Sequence, residues 1–279
     1  MKGIITCGGK GTRLLPSTVA TNKQGLNVYG QPMVHFPITY LKNAGITDIC
    51  VVFNRGNAHT FVELLNDGSH LGVNIAYRMQ DEPLGIAHAI SMCKNWAQGE
   101  DVCVVLGDNI FEDEQFLVEP VASFKHGATV FLKEIADEDM FETGWDGVKR
   151  AKFGIVELDG ERVADVVEKP THPKSPWAQI GAYILDKEVF TIISSLKPSA
   201  RGQYEIADVT GHYIKNGLCQ AVKVKGWWSD VGTHDALAET VAALYEIKHG
   251  KGSLQKALER RYWGPVGLRQ VSWKVKTNQ

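Results

Sequence analysis

The chain has no excess charge of either sign: 30 lysines and arginines stand against 32 aspartates and glutamates, for a net charge of -2. Without a global basic field a nucleic-acid partner is disfavoured, although small anions need only a local cluster of cations. No apolar run approaches the roughly 20 residues of a membrane-spanning helix. The opening MKGIITCGGKG is too short in apolar length for a secretory signal, so a cytoplasmic protein without a membrane partner is expected. The five cysteines, at 7, 50, 93, 103 and 219, are odd in number and include no CxxC pair. Zinc and redox motifs are therefore unsupported; four of the five sit in apolar runs, where buried, reduced thiols are expected. There is no internal repeat, no low-complexity segment and no convincing linker.

What is present has the composition of an ordinary globular protein, 44% apolar and 22% charged over 279 residues. That length suits one large domain or two small ones. Short apolar, β-branched runs at 2–7, 46–53, 73–78 and 101–107 alternate with helical spacing at 32–44, 57–66 and 84–97. Strands alternating with helices predict βαβ units, hence a parallel sheet covered on both faces. Further strands are expected within 127–135, 152–170 and 177–186, with Asp159-Gly160 as a hairpin turn, and helices at 187–195, 204–215 and 235–249. The predicted fold class is α/β: a Rossmann-like, mostly parallel mixed sheet flanked by helices, with added antiparallel strands. Residues 1–249 are expected to form one domain, the first part to about 126 and the second over 127–249. A tail of 250–279 follows, with a short helical pattern at 253–262.

The first strand runs into Gly8-Gly9-Lys10-Gly11-Thr12-Arg13. Glycines after a strand let backbone approach a phosphate and offer it N–H groups. Two familiar phosphate motifs fail here. The dinucleotide fingerprint lacks its third glycine, and the P-loop lacks a hydroxyl residue after its lysine. A plain strand-to-helix turn remains an alternative, but Thr12 adds a hydroxyl, Arg13 a fork of donors and Lys23 a second cation, as a triphosphate requires.

The stretch GGKGTRLLPSTVATNKQGLNV resembles the opening signature of the sugar-1-phosphate nucleotidyltransferases, G-G-x-G-T-R-x-x-P-x-T followed by a lysine. It is most similar to the glucose-1-phosphate thymidylyltransferase branch, which shares the Lys23-Gln24 pair. The resemblance, which extends over roughly residues 1–245, implies that Gly8, Gly9, Gly11, Thr12 and Gln24 hold the nucleotide and its phosphates. It implies further that Arg13 grips the leaving pyrophosphate and Lys23 the phosphates at the reacting centre. Cys7, Gly25 and Asn27 depart from the family pattern.

Asp108 follows an apolar strand in LGDNIF, and Asp230 lies in GWWSDVGT. Each alone has a plain alternative as a helix cap or turn residue, and nothing in their spacing shows that they meet. The resemblance implies that both bind one Mg²⁺, an ion that needs only one or two carboxylates beside substrate phosphates. In QDEPLGIAHA, Gln80 and Gly85 look like contacts to thymine or uracil, since an amide both donates and accepts. His88 stands where the family has glutamine and is expected to matter little for base choice. Phe153-Gly154-Ile155-Val156-Glu157, Glu168-Lys169-Pro170 and Trp177-Ala178-Gln179 resemble the family's sugar-site segments. They imply sugar contacts from Gly154, Glu168 and Gln179 and a phosphate contact from Lys169. Arg201, in SARGQYEI, resembles an arginine that approaches the sugar phosphate. The glycine-rich stretch 141–150 is longer than the family's link at this place: a surface extension, or a lid over the sugar site.

The implied reaction joins an NTP, foremost dTTP, to a sugar-1-phosphate, foremost glucose-1-phosphate, in a homo-oligomer of two or four chains. The departures at Gly25, Asn27, Gln179 and Ile180 leave UTP, CTP or another phosphorylated acceptor open. A non-catalytic sensor of sugar nucleotides is the remaining alternative.

Overall fold

The computed structural model describes residues 1–144 and 146–258. In chain order, β1 (Lys2–Cys7) leads through 3₁₀ turns at Thr12–Leu14 and Lys23–Gly25 and a small hairpin, β2 (Asn27–Val28) and β3 (Gln31–Pro32), into α1 (His35–Asn43). There follow β4 (Asp48–Asn54), α2 (Ala58–Leu65), β5 (Asn74–Gln80), α3 (Ile86–Ser91), α4 (Lys94–Ala97), β6 (Val102–Leu106), β7 (Asn109–Phe111) and α5 (Val118–Ser123). Then come β8 (Ala128–Glu134), α6 (Asp137–Met140), a second hairpin of β9 (Phe141–Thr143) and β10 (Lys149–Ala151), β11 (Gly154–Asp159), β12 (Arg162–Glu168) and β13 (Trp177–Leu185). The described chain closes with α7 (Val189–Ser195), α8 (Ile206–Lys215), β14 (Cys219–Lys223), β15 (Trp228–Asp230), α9 (His234–His249) and α10 (Ser253–Leu258).

One nine-stranded sheet spans both halves of the chain, in the order β12-β11-β13-β6-β1-β4-β5, with β8 and β14 branching from β13. Strands β6, β1, β4 and β5 are parallel, and β13, β11 and β12 extend them antiparallel. This is the mixed, mostly parallel fold expected from the apolar runs. The runs are continuous because both faces of the parallel strands are buried. Ile5, Val51 and Val105 enter one core, while Ile4, Val52 and Val104 enter the other. Chain order moves outward from β1 to β4 and β5, then returns to β6 on the other side of β1. The carboxyl ends of β1 and β6 thus flank a point of reversal, where open α/β sheets bind ligands.

The single helix expected over 84–97 is two. Gly85, at φ 104° and ψ 170°, stands outside the helix, and the Cys93 N–H bonds back to the Ile90 carbonyl (2.9 Å), a tightened turn that separates α3 from α4. Pro37 sits in the first turn of α1, where its missing N–H is an orphan in any case. The expected hairpin is β11–β12, turned at Gly160 with φ 63°. Four cysteines are fully buried as expected, Cys219 is partly exposed, and none is in a disulfide. The helical pattern expected at 253–262 is helix over Ser253–Leu258, and the rest lies outside the described residues. Among the described residues, no helix is long and apolar enough to cross a membrane.

The sheet forks along β13. Residues 178–179 pair with β11 and residues 182–185 with β6, leaving Gly181 between them. Buried Asn109 closes the fork: its Oδ1 accepts from the Gly181 N–H (3.1 Å) and the Trp228 Nε1–H (2.9 Å). A side chain at position 181 would collide with this amide, which is why glycine stands there. Asn109→Ala strands these two donors, each at a cost of about 1–3 kcal/mol when buried, and the expected loss of stability is roughly 2–4 kcal/mol. Urea unfolding checks this; a midpoint equal to that of the wild type contradicts it.

Candidate active site

The glycine loop leaves the end of β1 directly beside the turn that leaves β6, because Thr6 pairs with Leu106. Gly107 packs so tightly there that a Cβ would come within 2.6 Å of Cys7 Sγ. The Gly8 carbonyl accepts from Asn54 Nδ2, and a side chain on Gly8 would strike Gln80 Oε1. Gly11 takes the left-handed conformation (φ 63°), its carbonyl accepting from Thr18 Oγ1 (2.8 Å). Lys23 opens a 3₁₀ turn capped by Asn22, whose Oδ1 accepts from the Gln24 N–H (2.9 Å) and whose Nδ2 donates to the Cys7 carbonyl (3.3 Å). A buried asparagine thus fastens the lysine turn to the end of β1.

Asp108 and Asp230 are brought together by a strand pair too short to announce itself in sequence. β7 and β15 run antiparallel with Asn109 opposite Asp230, and the Val231 N–H donates to the Asp108 carbonyl (2.9 Å). Asp108 pairs with Lys23 Nζ through Oδ2 and accepts from Asn109 Nδ2 through Oδ1 (3.0 Å). Burial alone would raise its pKa, but the Lys23 charge and these hydrogen bonds hold it below the usual carboxylate range. Burial likewise works against the Lys23 ammonium, yet Asp108 and Asp230 outweigh it and keep the pKa above the ordinary lysine value. Asp230 is different: burial first, then the Asp108 charge, push it up to about 6 against the pull of Lys23, Arg13 and Lys169. Its Oδ1 is buried with no hydrogen-bond partner. The helix cap near Asp230 is Thr233, whose Oγ1 accepts from the Ala236 N–H (3.2 Å).

A cavity of about 400 Å³ opens over these strand ends, lined by Gly8, Gly9, Gln24, Gln80, Gly85, Asp108, Glu168, Lys169 and Arg201. A second, of about 190 Å³, shares Asp108, Glu168 and Lys169 and adds Gly154, Gln179 and Asp230 at the fork of the sheet. Gly11 and Thr12 line neither. Arg13 reaches the centre from outside, with its Nη1 3.3 Å from Glu142 Oε2. Lys169 follows β12 in the left-handed region (φ 44°), an unfavourable conformation for a side-chain-bearing residue that turns the chain back at the cavity wall. Arg201 is clamped by Glu205, through Nε (3.1 Å) and Nη2 (2.8 Å), and by Glu168 through Nη2 (3.1 Å). Burial pushes the Glu168 pKa up despite the Arg201 charge.

Four side chains here had no signal in sequence beyond their residue type: Asn22, Asn109, Glu142 and Glu205. His88, expected to matter little for base choice, has its Nδ1 2.8 Å from Gln80 Nε2 and its ring stacked on Tyr204. The steric demand at Gly85 comes from Tyr204, whose carbonyl oxygen would stand 2.5 Å from a Cβ. The stretch 141–150 contains the short β9–β10 hairpin, with residue 145 outside the described residues.

The raised pKa of Asp230 has a consequence for stability. The folded protein binds this proton more tightly than the unfolded chain. The group's contribution is therefore fully present below the ordinary carboxylate range and is lost as pH rises through about 6. In EDTA at pH 8, Asp230→Asn is expected to melt higher than the wild type, at about 2–4 °C for each kcal/mol relieved. The difference shrinks toward pH 5. Calorimetry across pH checks this, and a lower melting temperature for the variant at pH 8 contradicts it.

Comparison with known proteins agrees with this architecture. The Nucleotidyl transferase family profile matches residues 2–246. A glucose-1-phosphate thymidylyltransferase of Neisseria meningitidis is 37% identical over 268 residues, 94% of this chain and 89% of that protein. One from Mycobacterium tuberculosis is 37% identical over 281 residues, covering 99% of this chain and 89% of its own length. A crystal structure from Bacillus anthracis, assigned as a glucose-1-phosphate thymidylyltransferase and solved with sucrose, superposes with a TM-score of 0.79 at 37% identity, over 90% of this chain and 98% of that one. A UDP-glucose pyrophosphorylase bound to UDP-glucose shares the fold, at a TM-score of 0.75 and 24% identity. The chain is a nucleotidyltransferase and belongs to the Nucleotidyl transferase family.

Proposed function

We propose that the chain transfers a thymidylyl group from dTTP to glucose-1-phosphate, giving dTDP-glucose and pyrophosphate. The observation that carries this reading is the meeting of Lys23, Asp108 and Asp230 at the point of sheet reversal, where Asp108 and Lys169 line both cavities and Asp230 the smaller one. A sugar-phosphate oxygen attacks the α-phosphorus in line and forms one P–O bond. The bond from that phosphorus to the bridging oxygen breaks, and pyrophosphate leaves with the electron pair. No covalent enzyme intermediate and no proton transfer are required, so the work of the protein is positioning and charge neutralisation. In this reading Gly8, Gly9, Gly11, Thr12 and Gln24 hold the nucleotide, Arg13 the leaving phosphates and Lys23 the reacting ones. Lys169 and Arg201 neutralise the sugar phosphate, while Gly154, Glu168 and Gln179 face the sugar.

Mg²⁺ fits the carboxylates. Asp230 Oδ1 is a buried oxygen without a partner. Such an ion needs only one or two carboxylates and completes its shell with water and substrate phosphate. When bound by Asp108 and Asp230 it supplies positive charge to the phosphate oxygens. Assembly as a dimer or tetramer and a cytoplasmic location belong to the same proposal, as implications of the resemblance seen in the sequence.

For base choice, the Gln80 amide is the deciding group. An NH₂ group only donates, so with Nε2 turned to His88 the imidazole Nδ1 accepts, and Gln80 Oε1 is left facing the cavity beside Gly8. An acceptor there matches the N3–H of thymine or uracil and opposes cytosine, which has no proton on N3.

Pyrophosphate release across four NTPs and several sugar phosphates tests the proposal. Asp108→Asn and Lys169→Ala should each lose on the order of 10²–10³ in turnover with circular dichroism unchanged; near-normal turnover in either overturns the site assignment. His88→Ala, which frees the amide to rotate, should narrow the preference for dTTP over CTP by roughly tenfold, about 1.4 kcal/mol. An unchanged ratio of kcat/KM values removes His88 from base selection.

A further inference from the structure

Two of the four cations at the centre have a carboxylate partner next to them in the cavity wall. Lys23 pairs with Asp108, and Arg201 with Glu168 and Glu205. The other two share one carboxylate from outside it. Glu142 Oε1 accepts from Lys169 Nζ (2.6 Å), and its Oε2 lies 3.3 Å from Arg13 Nη1. No other ion pair is made by Lys169 or Arg13 among the described residues. Glu142 belongs to β9, in the hairpin that stands apart from the nine-stranded sheet. The hairpin root is stitched to the strand end that carries Lys169, since the Ala151 N–H donates to the Pro170 carbonyl (2.8 Å). All three charged side chains are partly accessible, so the contact can exchange with dissolved anions.

A carboxylate whose two oxygens each meet a different cation has the donor pattern of a bridging phosphate. It brings one negative charge, whereas a phosphate or pyrophosphate brings more and has additional acceptor oxygens. We propose that Glu142 is a positioning residue: it occupies the place of a phosphate between Arg13 and Lys169 in the free enzyme, and the phosphates of the substrates displace it. This rests on the reading that Arg13 and Lys169 bind phosphates. The internal anion keeps the two cations, which come from opposite ends of the reaction, at a fixed separation before substrate arrives. Its cost is a competition that weakens ground-state binding. Once displaced it no longer opposes the reaction, so its removal acts on KM far more than on kcat.

The test is equilibrium binding of inorganic pyrophosphate, with Mg²⁺ present, to the full-length wild type, Glu142→Gln and Glu142→Ala, together with steady-state kinetics. Both variants should bind pyrophosphate roughly 3–10-fold more tightly and lower the KM for the NTP by a similar factor, the range expected for releasing two partly exposed ion pairs. Their kcat should stay within about twofold of the wild type by the same argument. Unchanged or weaker pyrophosphate binding in both, with wild-type melting temperatures, overturns the proposal, because a merely structural contact predicts no gain in affinity. Arg13→Ala, read by pyrophosphate binding, and Lys169→Ala, read by the KM for the sugar phosphate, separate the two levels. If both variants weaken their readouts while the Glu142 variants fail to tighten pyrophosphate binding, the displacement idea is wrong and the phosphate assignment stands. If either variant leaves its readout unchanged, the phosphate assignment of that cation falls, and the proposal with it.

Discussion

Two partly buried carboxylates set side by side repel one another, and the architecture around Asp108 and Asp230 answers that constraint. Lys23 neutralises one of them so fully that its pKa falls below the usual range despite burial. The other is left with its pKa raised to about 6 and an oxygen without a hydrogen-bond partner. A fold tolerates such a group only when surrounding contacts over-determine its place. Here those contacts are the β7–β15 pairing, the Asn109 amide across the fork of the sheet, and the Asn22 cap that holds Lys23 in its turn.

The same electrostatic logic orders the rim. Every cation assigned to phosphate binding already has an anionic partner: Asp108 for Lys23, Glu168 and Glu205 for Arg201, and Glu142 for Lys169 and Arg13. The partners differ in how firmly they are fixed. Glu205 is buried and also accepts from Ser199 Oγ (2.6 Å), so its side chain is held in place against Arg201. Glu142 stands on a short hairpin outside the main sheet and can yield. The left-handed backbone of Lys169 places the yielding contact and the reacting centre within reach of one side chain.

Much of the scaffold was legible in the sequence. The parallel strands β1, β4, β5 and β6 lie where uninterrupted apolar runs placed them, because a strand buried on both faces leaves that signature. The glycine loop and both aspartates were found by local motif, and Asp159-Gly160 marked its hairpin. Strands of two or three residues left no periodic trace, so β7, β9, β10 and β15 were missed although they bring the site together. The start of α3 was also invisible, since a side chain at Gly85 would collide with Tyr204, a residue far along the chain, and so was the tightened turn at Cys93 that separates α3 from α4.

By itself the sequence determined the α/β layering, the place of the glycine loop after β1 and the residue types available to the reaction. These depend on local periodicity and backbone permissiveness, which neighbouring residues encode. Only the tertiary structure decided that Asp108 meets Asp230, that His88 touches the Gln80 amide, and that Glu142 joins Arg13 to Lys169. Hydrogen bonds and ion pairs act over a few ångströms in space whatever the separation along the chain, so no window of sequence contains both partners.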